Sequence, residues 1–185
     1  MFVALVPPEE AVDHLDAFLE PRRSAAAFRW AGTDQLHVTL AFLAEVEERR
    51  LDDLLERLAR AAARRTAFET AIAGGGAFPN AARARVLWAG LDLDDRGRTE
   101  LDRLATGCRA ASNRAGVPVD GQRFRPHVTL ARIAHPTEAT SWVRLLDGYA
   151  GPAWRADRAE LVASHLGEGP RGRPRYETVA ELPLG

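Results

Sequence analysis

The pentapeptide His-Val-Thr-Leu-Ala occurs twice in this chain of 185 residues, at 37–41 and again at 127–131. Nothing else in the sequence restricts the fold as much. A packing segment has no need to repeat literally, and the residues flanking the two copies have diverged while these five letters have not. The chain therefore reads as two related halves, each contributing one copy from a comparable place. Both copies sit in β-branched, apolar surroundings that predict strands, over 34–46 and 124–133. Side chains alternate faces along a strand. His37 and Thr39 then project one way, and Val38 and Leu40 the other. The same alternation separates His127 and Thr129 from Val128 and Leu130. The apolar pairs suit a core; the polar pairs suit a cleft between the halves.

The remaining elements fit that division. Residues 2–5 read as a short buried strand. A helix follows, started by two prolines and two acids and stopped at Pro21. Amphipathic periodicity predicts helices at 47–65 and 96–116, with Cys108 on the apolar side of the second. Strands are expected at 67–79, interrupted by three glycines that signal a bulge or turn, and at 85–93. A short helix at 137–149 and strands near 153–166 and 174–183 complete the chain. The sum is an α+β, bilobal, pseudo-duplicated fold: two mostly antiparallel sheets facing a central cleft, with helices on the outside. No linker or low-complexity segment divides it, so residues 1–185 read as one domain of two intertwined lobes.

Composition narrows the function. Hydrophobic residues make up 46% and charged residues 28%, ordinary for a globular protein. No apolar run is long enough to cross a membrane. The opening residues lack the basic segment of a secretory signal. A single cysteine cannot form an internal disulfide, and the expected location is the cytoplasm. All 25 basic residues are arginine. The absence of lysine excludes Schiff-base chemistry, a Walker-type phosphate loop and a covalent lysyl-nucleotidyl intermediate. Arginine is well suited to phosphate, because its planar fork donates two parallel hydrogen bonds. The net charge of −1 argues against a general polyanion binder.

Two strands that each present an imidazole and a hydroxyl to one space favour acid–base chemistry on a phosphate. Two histidines near their unperturbed pKa of about 6.5 can hold one proton between them at neutral pH. The neutral one activates a nucleophile and the charged one donates to the leaving group. The threonine hydroxyls can donate to non-bridging oxygens. No metal-binding spacing appears, and neither metal nor cofactor is expected. The residues alone do not say which histidine is acid and which is base. Arg132 directly follows the second motif strand and is a candidate phosphate ligand. Strand parity places it on the face opposite His127, so a twist or bulge is needed to bring it into the cleft. Trp30 and Phe28 precede the first motif and are candidates for stacking a nucleobase. Arg125 is a candidate RNA contact. Tyr176 is expected to pack beside the site. His14, His135 and His165 are expected to be bystanders.

These features together resemble the two-histidine (2H) phosphoesterase superfamily, and within it the RNA 2′,3′-cyclic phosphodiesterases, also called 2′–5′ RNA ligase-like proteins. The resemblance rests on the paired His-x-Thr motifs and on "FVALVPPEE", "RFRPHVTLARI" and the closing "SHLGEGPRGRPRYE". It implies that His37 is the proton donor, that His127 accepts the proton from water, and that Arg132 contacts phosphate. It also implies metal-independent opening of a terminal 2′,3′-cyclic phosphate to a 2′-phosphomonoester, with RNA as the partner of a monomeric enzyme. One departure is the first motif, which continues Ala41-Phe42-Leu43-Ala44 where a basic residue and Phe-Leu-Gly are common. The competing readings are reversible 2′–5′ ligation, hydrolysis of another cyclic nucleotide phosphate such as ADP-ribose 1″,2″-cyclic phosphate or of an oligoadenylate, and a non-catalytic RNA-binding module.

Overall fold

The computed structural model describes residues 1–185, the Arg171 side chain excepted. In chain order the elements are β1 (Phe2–Leu5), α1 (Glu9–Leu19), β2 (Arg29–Trp30), β3 (Val38–Phe42), α2 (Leu51–Ala62), β4 (Phe68–Phe78), β5 (Ala84–Asp92), α3 (Asp95–Arg114), β6 (Val128–Thr137), α4 (Thr140–Asp147), β7 (Trp154–Ala156), β8 (Arg158–His165) and β9 (Arg175–Pro183). Each half runs strand, helix, motif strand, helix: β1-α1-β3-α2, then β5-α3-β6-α4. After each set a strand crosses to the other half, the second time after short β7, which pairs with β4. β4 lies beside β5, and β8 lies beside β1, all antiparallel.

The α+β class and the antiparallel pairing are as the sequence predicts. The two expected sheets, however, are joined. β3 and β6 meet at one residue pair, Val38 with Val128, which links the halves into a nine-stranded sheet of order β7-β4-β5-β6-β3-β1-β8-β9, with β2 added against β6. The physical reason lies in the motif itself: its apolar side chains must share one core. Val38, Leu40, Val128 and Leu130 are each no more than 1% exposed. They pack in a single cluster with Leu54 and Leu58 of α2 and Leu101 and Leu104 of α3. Burying each leucine contributes about 1.5–3 kcal/mol. The helical period brings Leu54, Leu58 and Ala62 onto that core from α2, as the spacing predicts. The α3 helix begins at Asp94, whose carboxylate accepts a hydrogen bond from the Gly97 amide at 2.6 Å. Cys108 is fully buried, and burial pushes its thiol up to about 12, which makes it an inert packing residue.

Both motif strands carry the same irregularity. Between β1 and β3 the register runs Ala4 with Thr39 and then Val3 with Ala41. Between β5 and β6 it runs Trp88 with Thr129 and then Leu87 with Ala131. Leu40 and Leu130 are thus extra residues, each the bulge of its strand. A one-residue bulge reverses the alternation beyond it. Leu40 with Ala41, and Leu130 with Ala131, are buried in succession, and Phe42 and Arg132 emerge on the side of Thr39 and Thr129.

Candidate active site

The open side of the motif strands forms a cleft of about 420 Å³. His37, Thr39, His127, Thr129 and Arg132 all line it. The bulge after Thr129 is what delivers Arg132, which simple parity would have turned away. Trp30 also lines the cleft, while its ring packs against Trp142 at 5.2 Å and Phe28 at 5.7 Å. Phe28 is not among the residues lining the cleft; it packs toward Ala84, Ile133 and Ala139. Arg125 lines an adjoining cavity of about 590 Å³, with its guanidinium 5.8 Å from the centre of the Phe78 ring. His14 bonds to the Tyr149 hydroxyl and His165 to Glu177, both away from the cleft.

Each catalytic candidate stands one residue before its strand and is held in the same way. The His37 Nδ1–H donates to the Gln35 carbonyl at 2.8 Å, and the His127 Nδ1–H donates to the Arg125 carbonyl at 2.7 Å. A carbonyl can only accept, so Nδ1 carries the hydrogen in both rings and Nε2 is the nitrogen left for chemistry. Aromatic side chains fix the ring planes. Phe2 stacks on His37 with centroids 4.5 Å apart, and Tyr176 meets it edge-on at 5.5 Å. Phe78 meets His127 edge-on at 5.0 Å, with Trp88 behind it at 6.2 Å. The glycine run in β4 makes this backing possible. Gly74 takes a positive φ of 65°, and a side chain on Gly76 would begin 2.3 Å from the Trp88 ring.

Burial lowers the pKa of both histidines. His37 is pushed down to about 4, with the Gln35 carbonyl opposing the shift and the charges of His127 and Arg132 adding to it. Burial also lowers His127, opposed by the Arg125 carbonyl and reinforced by Arg132. Burial therefore favours neutral imidazoles in the cleft. An anion between them reverses that preference, because opposite charge favours the protonated form.

Several residues escaped the sequence reading. Phe42 is half-exposed and lines the cleft; superimposing the repeats puts it in the place of Arg132, a signal that was available. Phe2 belongs to the first predicted strand, but nothing local marks it as a support for His37. Arg29, Gln35 and Arg173 also line the cleft. Gln35 holds His37 through its backbone carbonyl, a role with no side-chain signature.

Fold and site together define a protein of two duplicated halves that place a matched pair of imidazole–hydroxyl sets around one cleft. The LigT-like phosphoesterase family model matches residues 5–88 and 91–171, and the chain belongs to that family. An Escherichia coli relative described as an RNA 2′,3′-cyclic phosphodiesterase is 31% identical over 192 residues, covering 100% of this chain and 96% of the relative. A Geobacillus stearothermophilus protein of the same description is 29% identical over 184 residues, and this chain spans 99% of its own length but 56% of that relative. The crystal structure of E. coli LigT complexed with 3′-AMP superposes with a TM-score of 0.77 at 27% identity, covering 99% of this chain and 96% of that one. Among the described residues no helix is long and apolar enough to cross a membrane, and no group of three or more His, Cys, Asp or Glu side chains is placed to hold a metal ion.

Proposed function

We propose that this protein hydrolyses 2′,3′-cyclic phosphate ends of RNA to 2′-phosphomonoesters, by paired histidine acid–base catalysis without a metal. The observation that carries this reading is the tethering of both Nδ1 atoms to the carbonyls two residues upstream, which leaves two Nε2 atoms at one cleft. His127 Nε2 accepts a proton from water as it attacks phosphorus. His37 Nε2–H delivers a proton to the departing O3′. The bond to O3′ breaks, the bond to O2′ remains, and one water is consumed. Thr39 and Thr129 donate to the non-bridging oxygens, and Arg132 balances the phosphate charge. Burial makes protonated His37 a strong acid, suited to a poor alkoxide leaving group. Relatives described as RNA 2′,3′-cyclic phosphodiesterases, and a neighbour bound to 3′-AMP, support the substrate class.

The test is incubation with a 2′,3′-cyclic mononucleotide and a cyclic-ended oligonucleotide in excess chelator, with the product compared against authentic 2′- and 3′-monophosphates. Turnover to the 2′ isomer is expected. Loss of activity in chelator, restored by a divalent cation, would sink the metal-free mechanism; a 3′ product would overturn the assignment of the departing oxygen.

A further inference from the structure

Arg29 and Arg132 stand directly opposite one another where β2 pairs with β6. Directly opposed residues project to the same side of a sheet, and both of these line the cleft. Like charges in that relation are destabilising. A third guanidinium, Arg173 from the segment before β9, lines the same cleft. Its Nη1 lies 3.4 Å from where a side chain on Gly32 would begin, which sets it against the turn that leads into β3. Among the described residues no Asp or Glu lines the cleft, and none of these three arginines has a carboxylate within the 4.0 Å of an ion pair. Asp34 stands against Gly32 on that turn and pairs with none of them. Elsewhere the chain pairs its arginines freely, as with Arg57 and Asp53 or Arg175 and Glu168.

A cyclic phosphodiester carries one negative charge. On the proposed reading Arg132, which lines the cleft with both histidines, is the counter-ion of the reacting phosphate. Arg29 and Arg173 then line the cavity without a carboxylate in ion-pair contact, although Asp34 stands nearby on the Gly32 turn. Opposed Arg29 and Arg132 repel one another, and with one phosphate matched to Arg132, a second anion beside Arg29 and Arg173 relieves what repulsion is left. A guanidinium is built to grip such an anion with two parallel hydrogen bonds.

We propose that Arg29 and Arg173 form a second anion subsite, which takes the phosphate on the 5′ side of the terminal nucleotide. This inference rests on the reading of the cleft as a cyclic-phosphate site and deepens it. The preferred substrate is an RNA 3′ end, whose terminal cyclic nucleotide carries that neighbouring phosphate, over an isolated cyclic nucleoside.

The experiment is calorimetric titration with adenosine 2′-monophosphate and adenosine 2′,5′-bisphosphate, which do not turn over. The native protein should bind the bisphosphate roughly ten- to a hundred-fold more tightly, the worth of one charge-assisted contact. Arg29→Gln and Arg173→Gln should each bring that ratio toward one. The ligand-free Arg29→Gln protein should also melt no lower than the native protein, since a like-charge opposition has been relieved. A native ratio near one, a ratio that both variants keep, or a lowered melting point in Arg29→Gln overturns the subsite. Hydrolysis is measured in parallel on the same samples. Equal affinities in a protein that opens cyclic phosphates refute the subsite alone. A preserved preference in a protein that opens none refutes the reaction alone.

Discussion

Replacing His37 with Asn should make the protein less sensitive to acid. The Asn side chain can still donate to the Gln35 carbonyl from nearly the position of Nδ1, so the tether survives while the titrating nitrogen is lost. In the unfolded chain His37 takes up its proton near about 6.5. In the folded protein burial delays uptake to about 4. Between those values the unfolded state binds more protons, so the native protein loses stability as the pH falls. Carried from pH 7 to pH 4.5, the difference amounts to about 2.5 kcal/mol from this one group. That is a large share of the stability of a domain this size. The assay is urea unfolding of the native and His37→Asn proteins at both pH values, compared as a difference of differences so that all other groups cancel. The native protein should lose about 2.5 kcal/mol more than the variant. Equal losses would show that His37 is not desolvated, and the argument for a strongly acidic imidazolium would go with it.

His37→Ala and His127→Ala should each lower turnover by roughly 10²–10⁴ with folding retained, the usual worth of a general acid or base; a folded variant with near-native turnover refutes the pair. If His37 is the acid, the His37→Ala protein should recover on a cyclic substrate whose departing oxygen is replaced by sulfur, since a thiolate leaves without a proton, whereas His127→Ala should not. Thr39→Val or Thr129→Val removes a hydrogen bond to a charged oxygen worth about 1.5–3 kcal/mol, a loss of roughly ten- to a hundred-fold in rate; unchanged rates in both would mean that the hydroxyls do not touch phosphate. The pH profile of kcat/KM should be a bell whose maximum lies below about 6.5, because burial lowers both histidines and the free protein sets that profile. The profile of kcat should sit at higher pH, since bound phosphate favours protonation; a rate that rises steadily with pH points to a single base.

Much of this molecule was legible because the polar–apolar alternation of the two pentapeptides carries both the core and the site. Val38, Leu40, Val128 and Leu130 went to the core, and His37, Thr39, His127 and Thr129 to the cleft, with no information beyond strand parity. Helix α2 was equally plain, since Leu54, Leu58 and Ala62 recur at helical spacing. Two things were not legible. The joining of the sheets depends on how far the motif strands overlap, which is decided by packing of the whole core. The placement of Arg132 depends on a bulge at Leu130, and a bulge between apolar residues leaves no local mark. The glycines of β4 did announce their irregularity, because a positive φ at Gly74 requires that residue type.

The duplication supplies two equivalent arms, but the proposed reaction needs them to differ. Acid and base cannot be the same group in the same protonation state, and two identical half-sites would share their proton evenly. The sequence departs from its own repeat at the right places to break that tie. After matching bulges, the first arm presents Phe42 and the second presents Arg132, so the fixed positive charge of the motif strands sits on one arm only. The first arm encloses its histidine between Phe2, stacked on it, and Tyr176, while the second backs its histidine edge-on with Phe78. Desolvation therefore acts most strongly on His37, which is pushed to about 4, while burial lowers the more exposed His127 less, the Arg125 carbonyl opposing that shift and the Arg132 charge adding to it. His37 is thus the weaker base of the two, and on the proposed reading, in which it is the acid, a bound phosphate has the larger desolvation penalty to offset there. Two copies of one motif thus differ in burial and in the charge beside them, although their five residues are the same.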